Sequence, residues 1–145
     1  MSAGAPRIGN SAVPAAGGAA PAMLDVQQLS TWLETDRGVL RAVDGVSFSL
    51  RKGETFALVG ESGCGKSMTA LSLMRLLPEN AHIAGGRVLL DGEDLLARPE
   101  RAMRDVRGAR MSIIFQEPGT SLNPVLTVGD QIREAQHGRS ALPGT

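Results

Sequence analysis

The sequence predicts an α/β fold in which an antiparallel β layer precedes a buried strand, a glycine-rich loop and a helix. Residues 46–50 alternate apolar and polar side chains, as a strand with one buried and one wet face does. Residues 55–59, TFALV, form a short apolar run suited to a strand that is buried on both faces. Residues 60–67 then read GESGCGKS, and good helix formers follow to position 77.

The glycine-rich segment fits the pattern G-x-x-x-x-G-K-S, which predicts a P-loop NTPase core. Gly60, Gly63 and Gly65 can take backbone angles that a side chain would forbid. Successive N–H groups then curl into a concave anion site, and the helix adds further donors and the positive end of its dipole. Lys66 supplies a charge for the outer phosphates of a nucleotide, and Ser67 offers a hydroxyl to Mg²⁺.

The predicted nucleotide site consists of the loop and the residue that follows it. Its members are Gly60, Glu61, Ser62, Gly63, Cys64, Gly65, Lys66, Ser67 and Met68. The alternative is a glycine-rich turn that binds nothing. Lysine is scarce, however, and one of the two lysines stands at the motif position between a predicted strand and a predicted helix. That helix is expected to start near Lys66, and Cys64 lies at its N-terminus, so we expect alkylation of Cys64 to block nucleotide binding.

Length and composition limit the other possibilities. The 145 residues correspond to one domain or to part of a larger one. Fifteen basic and fifteen acidic residues give a net charge of +0, and aromatic residues are few, which argues against nucleic acid as a partner. No apolar run approaches the length of a membrane span. Residues 1–21 are rich in Ala, Gly and Pro, and we expect a disordered tail there. The single cysteine excludes an internal disulfide and fits a reducing compartment.

Three strands are expected in the β layer. They cover residues 23–29, 39–43 and 46–50, and the Asp-Gly pair at 44–45 is a two-residue hairpin signal between the last two. Trp32 falls in the loop before that hairpin. It is either a partly buried aromatic residue or a platform for an adenine ring, and the sequence leaves both interpretations open.

The second half of the chain adds two predicted strands. A Gly-Gly pair at 85–86 is expected to break the chain before a strand at 87–90, and an Asp-Gly turn at 91–92 follows. Residues 111–115, MSIIF, form another buried-strand candidate that runs into Gln116. Ligands of open parallel sheets bind beyond the carboxyl ends of strands. Gln116 is therefore placed to meet the nucleotide, although an isolated glutamine after a strand is otherwise a surface residue.

Two short helices complete the predicted elements. The first covers residues 99–106, with Pro near its first turn and Gly108 after its end. The second runs from Val128 to about position 136, with a Thr-to-Asp capping arrangement over 127–130. We expect residues 137–145 to be unstructured or atypical. The first helix carries an arginine every three residues, which favours a solvated face over a phosphate or lipid patch. These arginines are Arg101, Arg104 and Arg107.

Four segments together resemble the ATP-binding subunits of ABC transporters. They are residues 42–48 (AVDGVSF), 58–67 (LVGESGCGKS), 114–118 (IFQEP) and 120–124 (TSLNP). The last two are similar to the dipeptide and oligopeptide importer branch of that family. The likeness covers about residues 24–134.

The resemblance implies an ATP-binding subunit that couples ATP binding and hydrolysis to the uptake of peptides or similar solutes. Residues 60–67 would grip the ATP phosphates, and Gln116 would touch Mg²⁺ and the attacking water. The loop around residues 116–123 would contact a coupling helix of a membrane subunit. Trp32 is the candidate for stacking on adenine. The implied partners are membrane permease subunits, a second ATP-binding subunit and, indirectly, a solute-binding protein. The implied location is the cytoplasmic face of the membrane.

The sequence departs from the family pattern after the glutamine loop. The family continues with a Leu-Ser-Gly-Gly-Gln-like signature, a catalytic glutamate and a switch histidine, and none of these is present. Lys66 and Gln116 are the remaining candidates for a catalytic role. We therefore expect residues 22–136 to be a partial nucleotide-binding domain from a truncated, frameshifted or longer gene product. The alternative is a remnant that binds nucleotide at most. A soluble P-loop kinase is disfavoured because it has no need of the segments at 114–124.

Overall fold

The computed structural model describes residues 21–115 and 122–137. The predicted tail, apart from its last residue, and Gln116 lie outside these ranges. The described part forms two compact units, of which the first ends at Ala97 and the second begins at Arg98. The described elements are β1 (Leu24–Thr35), β2 (Gly38–Leu50), α1 (Lys66–Met74), β3 (Ala81–Leu90), β4 (Glu93–Asp94), α2 (Glu100–Val106) and α3 (Val128–His137).

The four strands of the first unit form one antiparallel sheet in the order β2-β1-β3-β4. β1 and β2 pair as a long hairpin, and β3 pairs with the other side of β1. β4 pairs with the end of β3 after a tight turn at Asp91 and Gly92, both of which have positive φ. The predicted antiparallel β layer and the predicted Asp-Gly turn at 91–92 are therefore confirmed.

The predicted hairpin at Asp44-Gly45 is wrong, because β2 runs through this pair as one continuous strand. The ladder from β1 skips one residue of β2 here, and Gly45 has a φ of 67°. The pair thus forms a β-bulge, which uses the same positive-φ glycine that a hairpin turn would use. The actual turn follows Thr35, whose hydroxyl donates to the carbonyl oxygen of Gly38 at 2.6 Å.

Two other expectations for the sheet are corrected. Trp32 lies within β1 and not in a loop. The Gly-Gly pair at 85–86 does not break the chain but lies inside β3. β1 carries an extra residue at Gln28, which has a φ of 49°, and Gly86 leaves room for it. A Cβ at position 86 would lie 2.6 Å from the carbonyl oxygen of Gln28. The glycine therefore accommodates a bulge in the neighbouring strand.

Helix α1 packs on β1 and β2 and closes the core of the first unit. It begins at Lys66, as predicted, but it ends at Met74 instead of position 77. Arg75 takes a left-handed conformation with a φ of 52° and donates its backbone N–H to the carbonyl oxygen of Ser72. The buried apolar side chains of this unit are Leu24, Val26, Leu29, Val43, Met74, Val88, Leu90 and Leu95.

The second unit contains the two predicted short helices. α2 follows Pro99, and its arginines confirm a solvated face at Arg101 and Arg104, which are exposed. Arg107 is more enclosed and forms an ion pair with Glu100. The predicted capping arrangement of α3 is also confirmed. Thr127 donates its hydroxyl to the Asp130 carboxylate at 2.6 Å and accepts the Asp130 backbone N–H at 3.2 Å.

Two predicted buried strands do not form. Residues 55–59 and 111–115 have no strand assignment, apart from an isolated bridge between Met111 and Arg107. Val59 is 88% exposed and Ile114 is 91% exposed. None of the described strands pairs with either segment. Leu58, Met111 and Ile113 are half-buried, and Phe56 stacks on Phe48 of β2 at 4.6 Å between ring centres, so neither segment has the two-sided burial of a central strand.

Candidate functional site

The glycine-rich loop lies directly before helix α1. Gly63 and Gly65 have φ values of 82° and 95°, so the prediction that they take backbone angles unfavourable for a side chain is confirmed. Gly60 does not have a positive φ, which corrects the expectation for that residue. A Cβ at position 60 would lie 2.5 Å from the sulfur of Cys64, so any side chain here would force this sulfur to move. Gly63 and Gly65 therefore shape the loop through their backbone conformation, whereas Gly60 does so by leaving room for the sulfur of Cys64.

The side chain of Lys66 folds back over the loop. Its Nζ donates to the carbonyl oxygens of Gly60 and Glu61, both at 2.7 Å. The sulfur of Cys64 lies 3.4 Å from the same Nζ. An ammonium group has three N–H donors, and a thiol is a weak acceptor. Two N–H groups of Lys66 are therefore bonded to strong acceptors, the two carbonyl oxygens. The third N–H faces the sulfur of Cys64, a weak acceptor that a phosphate oxygen would readily replace.

The N-terminus of α1 is open to an anion. Its N-cap is Gly65, no side chain caps it in the described structure, and its first turn contains no acidic residue. The first-turn N–H groups and the helix dipole therefore favour negative charge at this end. Ser67 is exposed on this turn, and Met68 beside it is half-buried. The loop thus combines backbone donors, one cation and a hydroxyl.

Strand β2 packs against the loop through its backbone. The carbonyl oxygen of Ala42 is packed against Gly65, and a Cβ at position 65 would overlap it. The sequence carries no signal of this contact, because a backbone atom makes it and no residue type indicates it. The requirement for glycine at position 65 is therefore both conformational and steric.

The structure does not bring every predicted site residue to the loop. Trp32 lies in β1 between two side chains of its neighbouring strands. The guanidinium carbon of Arg41 lies 5.4 Å from its ring centre, and His82 meets it edge-on at 6.1 Å. Its indole Nε1 is buried without a hydrogen-bond partner among the described residues. Adenine stacking by Trp32 stays a prediction, and so does the Mg²⁺ contact of Gln116, which lies outside the described residues.

Part of the chain is similar to a family of known proteins. The family model described as ABC transporter matches residues 43–142. The chain belongs to the ABC transporter family. This ABC transporter chain is 54% identical over 114 residues to the dipeptide transport ATP-binding protein DppD of Bacillus subtilis, covering 78% of the chain and 34% of DppD. It is 45% identical over 127 residues to the oligopeptide transport ATP-binding protein OppD of Escherichia coli, covering 88% of the chain and 37% of OppD.

The resemblance to peptide-transport ATP-binding proteins is thereby confirmed over part of their length. The ABC transporter chain spans 34% of DppD and 37% of OppD, which is well below two thirds of either relative. Among its described helices, none has both the length and the apolar character needed to cross a bilayer.

Two solved structures confirm the fold class. The dimeric structure of MJ0796, a bacterial ABC transporter cassette, superposes with a TM-score of 0.70 at 19% identity. A post-hydrolysis state of the MJ0796 ATP-binding cassette, bound to ADP and Pi, gives 0.68 at 17% identity. Each comparison covers 85% of the ABC transporter chain and 50% of the solved chain. The predicted α/β fold, a P-loop core with an antiparallel β layer, is therefore that of the ABC cassettes.

Proposed function

We propose that this chain is the phosphate-gripping part of an ATP-binding subunit of an ABC importer for peptides or similar solutes. The observation that carries the proposal is the position of the Lys66 ammonium. It is held over the loop by the carbonyl oxygens of Gly60 and Glu61, at the uncapped N-terminus of α1. A fixed cation beside unclaimed backbone donors suits a polyphosphate.

The residues of the loop have distinct roles in this proposal. Backbone N–H groups of the loop and of the first turn of α1 bind phosphate oxygens, and Lys66 gives its third N–H to an outer phosphate. Ser67 and Gln116 are the side chains that would hold Mg²⁺, since hydroxyl and amide oxygens suit this hard cation. When bound, Mg²⁺ would neutralise charge that develops on the phosphates. Lys66 holds the phosphate chain in place while Gln116 orients the attacking water.

The proposed partners follow from the relatives. DppD and OppD are named as dipeptide and oligopeptide transport ATP-binding proteins. We infer that the chain acts at the cytoplasmic face of the membrane with permease subunits and a second ATP-binding subunit, and that a solute-binding protein delivers the solute. The loop around residues 116–123 would contact the permease.

A second candidate function is a remnant that binds nucleotide without hydrolysis or transport. Val59, which immediately precedes the loop, is 88% exposed, and Ile114, which lies two residues before Gln116, is 91% exposed. Residues 55–59, which lead into the loop, therefore have no pairing partner among the described strands that would hold the loop rigid. Phosphoryl transfer depends on positioning, so loosely held groups favour binding over turnover.

A binding titration with Mg-ATP tests the proposal, and the sequence supplies a matched control. Lys52 is the other lysine of the chain, and it is exposed. Lys66→Ala should weaken ATP binding by about tenfold to a hundredfold, because a charge-assisted hydrogen bond is lost. Lys52→Ala should bind as the parent does. Equal affinities of the parent and the Lys66→Ala variant would reject the proposed site.

Phosphate release distinguishes the two candidate functions. The remnant function predicts that the purified chain binds ATP but releases no phosphate above the rate of the Lys66→Ala variant. Steady turnover that disappears in this variant would reject the remnant and support a hydrolysing subunit.

A further inference from the structure

We propose that Cys64 is a positioning residue, whose sulfur sets where the Lys66 ammonium stands and thereby tunes how tightly the loop binds phosphate. The inference rests on the proposed function, since it concerns the same loop. The sulfur of Cys64 lies 3.4 Å from the Nζ of Lys66 and is half-buried in the loop. On its other side it occupies the space in which a side chain at position 60 would stand.

Gly60 has no conformational reason to be glycine, because its φ is not positive. A Cβ built on it meets the sulfur of Cys64 at 2.5 Å and the Cβ of Cys64 at 3.6 Å. The first distance requires a shift, whereas the second is ordinary contact. One sulfur atom is therefore the obstacle to alanine at position 60.

Contacts link position 60 to the sulfur of Cys64, and this sulfur to the ammonium of Lys66. A methyl group at position 60 displaces the sulfur, and the sulfur touches the ammonium. The same ammonium is bonded to the carbonyl oxygens of Gly60 and Glu61. A shift of Cys64 therefore moves the cation away from its position over the loop. In the unsubstituted chain, the weak contact with the Cys64 sulfur orients the third N–H of Lys66. When phosphate binds, this N–H turns to a phosphate oxygen, which is the stronger acceptor.

A double-mutant cycle on ATP affinity tests this role. Gly60→Ala should weaken ATP binding by about tenfold, and Cys64→Ala by about threefold because the ammonium loses one neighbour. The double variant should bind like Cys64→Ala alone, since the obstacle to the new methyl group is gone. Independent effects would multiply to about thirtyfold, and that result would overturn the proposal. Gly85→Ala is the matched control, because its Cβ meets nothing within 4 Å and its φ is not positive.

A second readout separates this proposal from the proposed function. Cys64 is the single cysteine, so its rate of alkylation by iodoacetamide reports on the sulfur alone. Gly60→Ala should raise this rate severalfold by pushing the half-buried sulfur outward, while Gly85→Ala should leave it unchanged. If the unsubstituted chain binds no ATP, the proposed function fails. The alkylation rates still show whether a side chain at position 60 displaces the sulfur of Cys64. Equal rates in the parent and the Gly60→Ala variant would overturn the positioning role.

Discussion

The carbonyl oxygen of Ala42 and the backbone of Gly65 are packed so closely that no Cβ fits between them. Ala42 belongs to β2, and Gly65 is the N-cap of α1. This contact connects the β layer to the glycine-rich loop through backbone atoms alone. The next residue along the chain is Lys66, so the sheet fixes the point from which the cation extends over the loop.

Gly65→Ala should therefore abolish ATP binding and destabilise the first unit. The substitution combines a φ of 95° with the overlap on Ala42. Gly53→Ala is a suitable control, because Gly53 has a φ of 82° and open space around it. The control should cost about 1–2 kcal/mol, the penalty of a left-handed conformation alone. Urea unfolding and an ATP titration measure both effects, and a Gly65→Ala variant as stable as the control would contradict the packing argument.

Thr31 and Ser72 form a buried hydrogen bond between β1 and α1, with their hydroxyl oxygens 2.7 Å apart. Ser72 donates its one hydroxyl hydrogen to the carbonyl oxygen of Met68 at 2.6 Å. Thr31 must therefore be the donor to Ser72. Both side chains are fully buried, so water cannot replace either partner.

The direction of this hydrogen bond predicts unequal costs for the two partners. Thr31→Val keeps the shape and should lower the free energy of unfolding by about 1 kcal/mol. Ser72→Ala leaves the buried Thr31 hydroxyl without its acceptor and should cost about 1–3 kcal/mol. In the double variant the two losses should not add, because they share one interaction. Urea denaturation of the four chains tests this, and strictly additive losses would show that the hydroxyls do not interact.

The sequence predicted those parts of the fold that depend on neighbouring residues. The left-handed angles of Gly63 and Gly65, the start of α1 and the cap of Thr127 on α3 follow from short-range rules. The Asp-Gly pair at 44–45 was misassigned, because a bulge and a hairpin turn both need a glycine with positive φ. Which of the two forms depends on whether β1 continues alongside, and this long-range pairing leaves no local signal.

The site shows the same limit. The residue types of the loop indicate phosphate binding, but the steric role of Gly60 depends on where the sulfur of Cys64 stands. The support from Ala42 depends on a strand more than twenty residues earlier in the chain. Apolar composition alone indicated buried strands at residues 55–59 and 111–115. Burial requires neighbours, and none of the described strands supplies them.

The exposure of Val59 and Ile114 makes a prediction about stability. Val59→Thr and Ile114→Thr should each change the free energy of unfolding by less than about 0.5 kcal/mol, as surface substitutions do. Leu29 is fully buried, and Leu29→Ala should cost about 2–5 kcal/mol by the same measurement. A loss of stability in the two threonine variants that approached that of Leu29→Ala would mean that these segments are packed in solution.

Trp32 offers a direct optical test of the predicted adenine contact, because it is the single tryptophan of the chain. The guanidinium group of Arg41 lies over its ring at 5.4 Å, so a stacking adenine would have to take the place of this cation. If adenine displaces Arg41 and stacks on the ring, ATP should quench the emission of Trp32. Tripolyphosphate, which has no base, should leave the emission unchanged. Arg41→Ala should increase the quenching, since the face of the ring is then open. If ATP and tripolyphosphate act equally on the emission of a chain shown by titration to bind both, adenine does not reach Trp32.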